Sequence, residues 1–148
     1  MKAVAPFALT RTLTPALERV LEHWETLKRG ANDIPFGDDM KIASLPALAD
    51  RLLLLDVFVK PERFRIDYLG DALAGDGHDA APGRFIDEVR PGRPFEYLRA
   101  QASATVERGA PTLHRAEASA DGPAYTRLLA PLWGDGHISM LLGAIADG

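Results

Sequence analysis

Hydrophobic positions fall into two different rhythms along this chain. From Leu17 the apolar residues recur at helical spacing, as Leu17, Val20, Leu21, Trp24 and Leu27, with Glu18, Arg19, Glu22, Glu25 and Lys28 on the opposite side. Thr14 followed by Pro15 supplies a capping hydroxyl and a residue whose fixed φ suits the first turn, and Gly30 is a natural stop. The pattern predicts an amphipathic helix with one stripe that must lie on something. Residues before about Thr12 read as a short tail, so the expected division is a tail over 1–12 and a single domain over 13–148.

Ala31 to Ala43 is turn-rich, and Ser44-Leu45-Pro46 predicts a short second helix ending near Arg51. The rhythm then changes. LLLLDVFV (52–59) and RFRIDYLG (63–70) predict two strands joined by a KPER hairpin loop. The first is apolar on both faces except at Asp56, which predicts an interior strand. The second alternates, with Phe64, Ile66 and Tyr68 on one face and Arg63, Arg65 and Asp67 on the other, as an edge or half-buried strand does.

Residues 71–93 are rich in Gly, Pro and charge and predict only short helical turns, around Asp71–Ala74 and Arg84–Val89. A longer helix follows over 94–109, with Phe95, Leu98, Ala102 and Val106 as its stripe and Gly109 past its end. Three strands close the chain, PTLHRAEAS, AYTRLLAPLW and HISMLLGAIA, joined by short turns at DGP and GDG. The sum is an α+β fold with an antiparallel sheet.

Composition narrows the chemistry. With 148 residues, 47% hydrophobic and 26% charged, the chain is ordinary for one globular domain. Its net charge is -4 with Lys and Arg scattered, so it lacks the basic stripe that gives nucleic-acid binders most of their affinity. The absence of cysteine removes disulfides, thiolate catalysis, Cys-ligated zinc and iron–sulfur clusters. The first dozen residues make no convincing signal peptide, and the longest aliphatic run, Leu52 to Leu55, is far short of the roughly 20 residues a bilayer needs. A cytoplasmic protein without membrane insertion is expected.

The order of elements, two strands, a helical stretch ending in a longer helix, then three strands, resembles a PAS domain. Local motifs resemble a branch of small PAS proteins common in alphaproteobacteria: Trp24-Glu25-Thr26-Leu27-Lys28-Arg29-Gly30 with Ile34-Pro35 after it, Leu55-Asp56-Val57, Phe64-Arg65-Ile66-Asp67-Tyr68-Leu69-Gly70, Leu128-Leu129-Ala130-Pro131-Leu132, and Met140-Leu141-Leu142-Gly143. The likeness covers about residues 13 to 146. The chain departs from that pattern at Asp67, where the family strand often carries Arg, and at Asp71, where it often carries Thr. The resemblance implies a five-stranded antiparallel sheet in order 2-1-5-4-3 with helices on one face, and an N-terminal helix on the other face or paired with a second copy. It also implies a sensor or adaptor of bacterial signalling rather than an enzyme.

Candidate chemistry starts from the tetrapeptide GDGH, which occurs at residues 75–78 and again at 134–137, the first copy flanked by Asp71 and Asp79. Imidazole and carboxylate donors could form one zinc, manganese or iron site, and a metal-dependent enzyme built on the GDGHD loop is one reading. The implied strand order puts the copies at opposite ends of the sheet, and strands of about 8 residues at about 3.3 Å each separate them by on the order of 25 Å. Each copy then stands alone, the second as a hairpin turn in which Asp and Gly supply positive φ.

Among PAS domains that hold haem through a His on the long helix, the match fails, because the 94–109 helix has no His and His114 lies on a strand. Cysteine-adduct flavin chemistry is likewise disfavoured. Tyr97, Gln101 and Thr105 form a polar-aromatic stripe on that helix, and with Arg127, Ser139 and Met140 on facing strands they are the candidate ligand pocket. Leu17, Leu21 and Trp24 are the candidate dimer or partner interface. Ser103, Ser119, Ser139 and His23 sit in no nucleophile–base motif. The expected function is signalling by contact with a histidine kinase or scaffold, open to tuning by a small ligand, with a small-molecule or non-covalent cofactor-binding sensor that has no dedicated partner as the alternative.

Overall fold

The computed structural model describes residues 7–9, 12–74, 79–90 and 92–148. It is an α+β fold whose sheet has the order β2-β1-β5-β4-β3, every neighbouring pair antiparallel. The strands are β1 (Leu52–Phe58), β2 (Arg63–Leu69), β3 (Thr112–Ala116), β4 (Tyr125–Gly134) and β5 (His137–Asp147). Among the described residues two α-helices accompany them, α1 (Pro15–Thr26) and α2 (Leu98–Arg108). Both the strand order and the interior place of β1 follow the sequence expectation.

Each sheet face carries its own core, as the two-residue period of a strand requires. Leu52, Leu54, Leu128, Ala130, Leu142 and Ala144 point to one face, where Leu17, Val20 and Trp24 of α1 cover them. Leu53, Leu55, Val57, Leu129, Leu141 and Ile145 point to the other, beneath Phe95, Leu98 and Ala102. Helix α1 begins as its residues direct: Thr14 Oγ1 accepts from the Leu17 N–H, and Pro15 opens the first turn.

Three local expectations are corrected. The Ser44–Arg51 segment is not a helix but two 3₁₀ turns, Ile42–Ser44 and Ala49–Arg51. Leu45 stands between them at φ -126° and ψ 60°, outside the helical region that the ring of Pro46 denies it. Helix α2 starts at Leu98 rather than Pro94, because Arg127 takes the carbonyls of Pro94 and Glu96 that a longer helix would use internally. In β2, Leu54 pairs with Tyr68 but Leu55 pairs with Ile66, so a bulge at Asp67 turns Tyr68 to the α1 face while Phe64 and Ile66 stay on the α2 face. The Tyr68 hydroxyl then donates to the Ala49 carbonyl at 2.7 Å.

Both sheet edges are occupied, which removes the open strand ladders that invite aggregation. At the β2 edge, Ile66 N–H donates to Arg84 O and Gly83 N–H to Ile66 O. At the β3 edge, Leu113 N–H donates to Phe7 O and Arg115 to Thr12 O, so the described residues of the expected tail lie against the domain. The second GDGH is the β4–β5 turn: Asp135 has φ 52° and Gly136 φ 82°, the paired left-handed positions of a type I′ hairpin.

Candidate functional site

The six residues of the expected pocket do not share one cavity. Gln101, Thr105 and Arg127 come together in the interior with Thr112, all fully buried between α2, β3 and β4. Gln101 Nε2 donates to Thr112 Oγ1 at 3.1 Å and to the carbonyls of Thr112 and Arg127 at 3.2 and 3.1 Å. Arg127 Nε donates back to Gln101 Oε1 at 2.7 Å, and its two Nη atoms reach Pro94 O at 2.7 Å and Glu96 O at 2.9 Å. Thr105 and Thr112 share a hydroxyl contact at 2.7 Å.

Every polar atom in this set has a partner within the chain, which leaves nothing for a ligand to satisfy. Burial lowers the Arg127 pKa to about 10, so the guanidinium keeps its charge at neutral pH. The set is a clamp that docks the start of α2 onto the sheet.

The other three lie elsewhere. Tyr97 is 69% exposed and takes φ 60° at the N-cap of α2. Met140 packs in the α1-side core, on the face opposite Arg127, with its sulfur beside Gly37. Ser139 lies beside Gly134 at the hairpin end of β5.

The expected interface stripe is also accounted for internally. Leu17 and Trp24 are 1% and 2% exposed in the α1-side core, and Leu21 packs against it. Trp24 Nε1 donates to Pro131 O at 2.8 Å. These residues are the buried underside of the helix and not a free surface, and Met40, Ile42, Leu45 and Leu48 pack into the same core beside them.

His114 stands opposite Arg127 on the α2 face, ringed by Phe7, Tyr97 and Tyr125 with centroids at 6.0, 5.7 and 5.7 Å. Its Nε2 is buried without a hydrogen-bond partner. Desolvation, then the nearby Arg127 charge, lowers its pKa to about 4, so the imidazole is neutral at ordinary pH. Among the other candidates, Ser103 donates to Glu62 and Ser119 accepts from Arg93, so neither hydroxyl bonds a histidine. The first GDGH, residues 75–78, lies outside the described residues, and Asp79 after it pairs with Arg90 at 3.4 Å. Among the described residues no three His, Asp or Glu side chains converge on a metal-sized point.

A cleft of about 150 Å³ lies on the α2 face, and of the expected pocket residues only Tyr97 lines it; sequence reasoning missed the rest of its wall. Ile66 of β2 forms one wall, Ile86 and Val89 of the 3₁₀ turn Ile86–Glu88 and its exit form another, and Phe95 and Leu98 close it from the α2 side. Arg90, Tyr97, Arg99 and Ala100 line the rest. The apolar lining belongs to residues that the sequence assigns to stripes or turns. Only the RFIDEV run (84–89), apolar and charged in one short turn, signals that a wall rather than a loop stands there.

No helix among the described residues is long and apolar enough to cross a membrane. Compared with models of protein families, with curated proteins and with solved structures, the chain matches none.

Proposed function

We propose that this chain is a PAS-type sensor of bacterial signalling, cytoplasmic and without catalytic activity, that reads a small molecule and passes its state to a protein partner such as a histidine kinase or scaffold. The sheet order β2-β1-β5-β4-β3, with the β2-to-β3 connection ending in α2 over one face and α1 over the other, is the arrangement that the PAS resemblance implies. The single observation that carries the sensing reading is the cleft between β2, the Ile86–Glu88 turn and the start of α2: a concave, mainly apolar site with two guanidinium groups, the general form of a small-molecule site.

A reading as an adaptor, acting by contact alone, has its own support. Phe58, Val59 and Trp133 are the exposed large apolar side chains at the hairpin end of the sheet, 37%, 58% and 36% exposed. With the α1 stripe buried, a homodimer or partner contact falls to that end.

Native mass spectrometry with an absorbance scan, on protein purified gently from cells, separates the two. The sensor reading expects a co-purifying small molecule. Bare protein that nevertheless captures a signalling partner supports the adaptor, and bare protein with no partner counts against both.

A further inference from the structure

We infer that the cleft takes a small monocarboxylate whose hydrocarbon body is about the size of a benzene ring, an inference that rests on the sensor reading. The size follows from the cavity. An apolar cavity of about 150 Å³ accommodates benzene, and this cleft has about that volume with Ile66, Ile86, Val89, Phe95 and Leu98 as its lining. Filling it with hydrocarbon removes that lining from water, whereas a fully polar ligand would leave it unmatched.

The charge follows from the pairing of the cations around it. Five arginines stand in this part of the surface, of which Arg84 does not line the cleft and donates to the Glu88 carbonyl at 3.3 Å. Arg63 is held by both oxygens of Asp87 at 2.8 Å, and Arg65 by Asp56. Arg90 faces Asp79 at 3.4 Å. Arg99 lines the cleft and has no hydrogen bond or ion pair to any described residue; Asp87, whose carboxylate feels the Arg99 charge, is already engaged by Arg63. A guanidinium at the mouth that no described residue pairs favours one carboxylate, which it can bind through a charge-assisted hydrogen bond.

The position of Arg99 sharpens this. It lies in the first turn of α2, where a positive side chain opposes the helix dipole, and that turn has no acidic residue and no side-chain cap from Tyr97. An anion seated at the cleft mouth relieves the conflict between Arg99 and the dipole while its tail fills the cavity. Tail and headgroup therefore address separate parts of one site.

The test uses the full chain with two probes of matched size, benzoate and the neutral benzyl alcohol, followed by calorimetric or NMR titration. Benzoate is expected to bind more tightly than benzyl alcohol by about three- to tenfold, the range for a partly exposed charge-assisted contact. In Arg99→Gln, an exposed change that leaves the core intact, that preference is expected to vanish while benzyl alcohol binds as before. Ile86→Trp, which fills the cleft, is expected to abolish both.

Equal affinity for the two probes, or a benzoate preference that survives Arg99→Gln, overturns the carboxylate inference. If benzyl alcohol binds and Ile86→Trp removes it, the cleft remains a ligand site. If neither probe binds the wild-type chain, the inference and the reading beneath it both fall.

Discussion

Arg127 Nε and Gln101 Oε1 lie 2.7 Å apart, a side chain of the sheet and one of the helix joined where both are fully buried. Among the described residues no carboxylate oxygen bonds this guanidinium. It is held by neutral acceptors, the Gln101 amide and the carbonyls of Pro94 and Glu96. Removing one partner from such a set strands the others in a dry interior, where each unmatched group costs more than its bond contributed. Gln101→Leu is therefore expected to lower unfolding stability by about 2–4 kcal/mol, with the loss read from urea denaturation. A change below about 1 kcal/mol would show that water replaces the amide.

Trp24 separates a core role from an interface role. Buried against the sheet with its indole N–H on Pro131 O, it is expected to cost about 3–5 kcal/mol when changed to alanine. Size-exclusion profiles of the folded variant should match the wild type. A stable Trp24→Ala protein with altered oligomeric state would return α1 to the surface.

His114 gives the fold a pH dependence of known sign. Its folded pKa, about 4, lies below the ordinary histidine value of 6.5, chiefly through desolvation. The neighbouring charges are Arg127 and Arg93, which lower it, and Glu96, which raises it. The unfolded chain therefore binds a proton first as the pH falls, so the stabilisation is complete above about 6.5 and is lost progressively down to about 4. Allowing for the solvent that reaches part of the ring, the loss is on the order of 1–2 kcal/mol. Denaturation at several pH values should show that slope, and His114→Phe should flatten it; an identical slope in the variant would assign it to other groups.

Gly70 closes the end of β2 where its backbone meets the Ala49–Arg51 turn. A Cβ there would stand 2.3 Å from the Asp50 carbonyl carbon and oxygen and 2.6 Å from Ala49 O. Backbone cannot give way as a side chain can, so Gly70→Ala is expected to cost about 2–3 kcal/mol, read from thermal or urea unfolding. Near wild-type stability would mean that the turn moves freely.

The sequence made the sheet legible because each strand's own residues state its environment. LLLLDVFV, apolar on both faces except at Asp56, suits an interior strand, and Asp135-Gly136 supplies the two positive-φ positions of a tight hairpin turn. The site was less legible because its geometry arises between elements. Tyr97, Gln101 and Thr105 share a helical spacing, but Tyr97 sits in a left-handed N-cap while the other two are fully buried, and spacing alone does not distinguish a pocket wall from a clamp. The bulge at Asp67 likewise reverses Tyr68 through pairing with Leu54, which a single strand's pattern does not contain. Ile66, Ile86 and Leu98 meet only in three dimensions.

Methyl NMR most directly tests whether the cleft is the sensing site. Signals of Ile66, Ile86, Val89 and Leu98 are to be followed as a cell metabolite extract is added to the full chain, with Leu17, Leu52 and Leu142 on the opposite face as internal controls. Shifts concentrated in the cleft methyls, and absent in Ile86→Trp, are the expected result. Unmoved cleft methyls, or shifts confined to the hairpin end around Val59 and Ile138, would contradict the account.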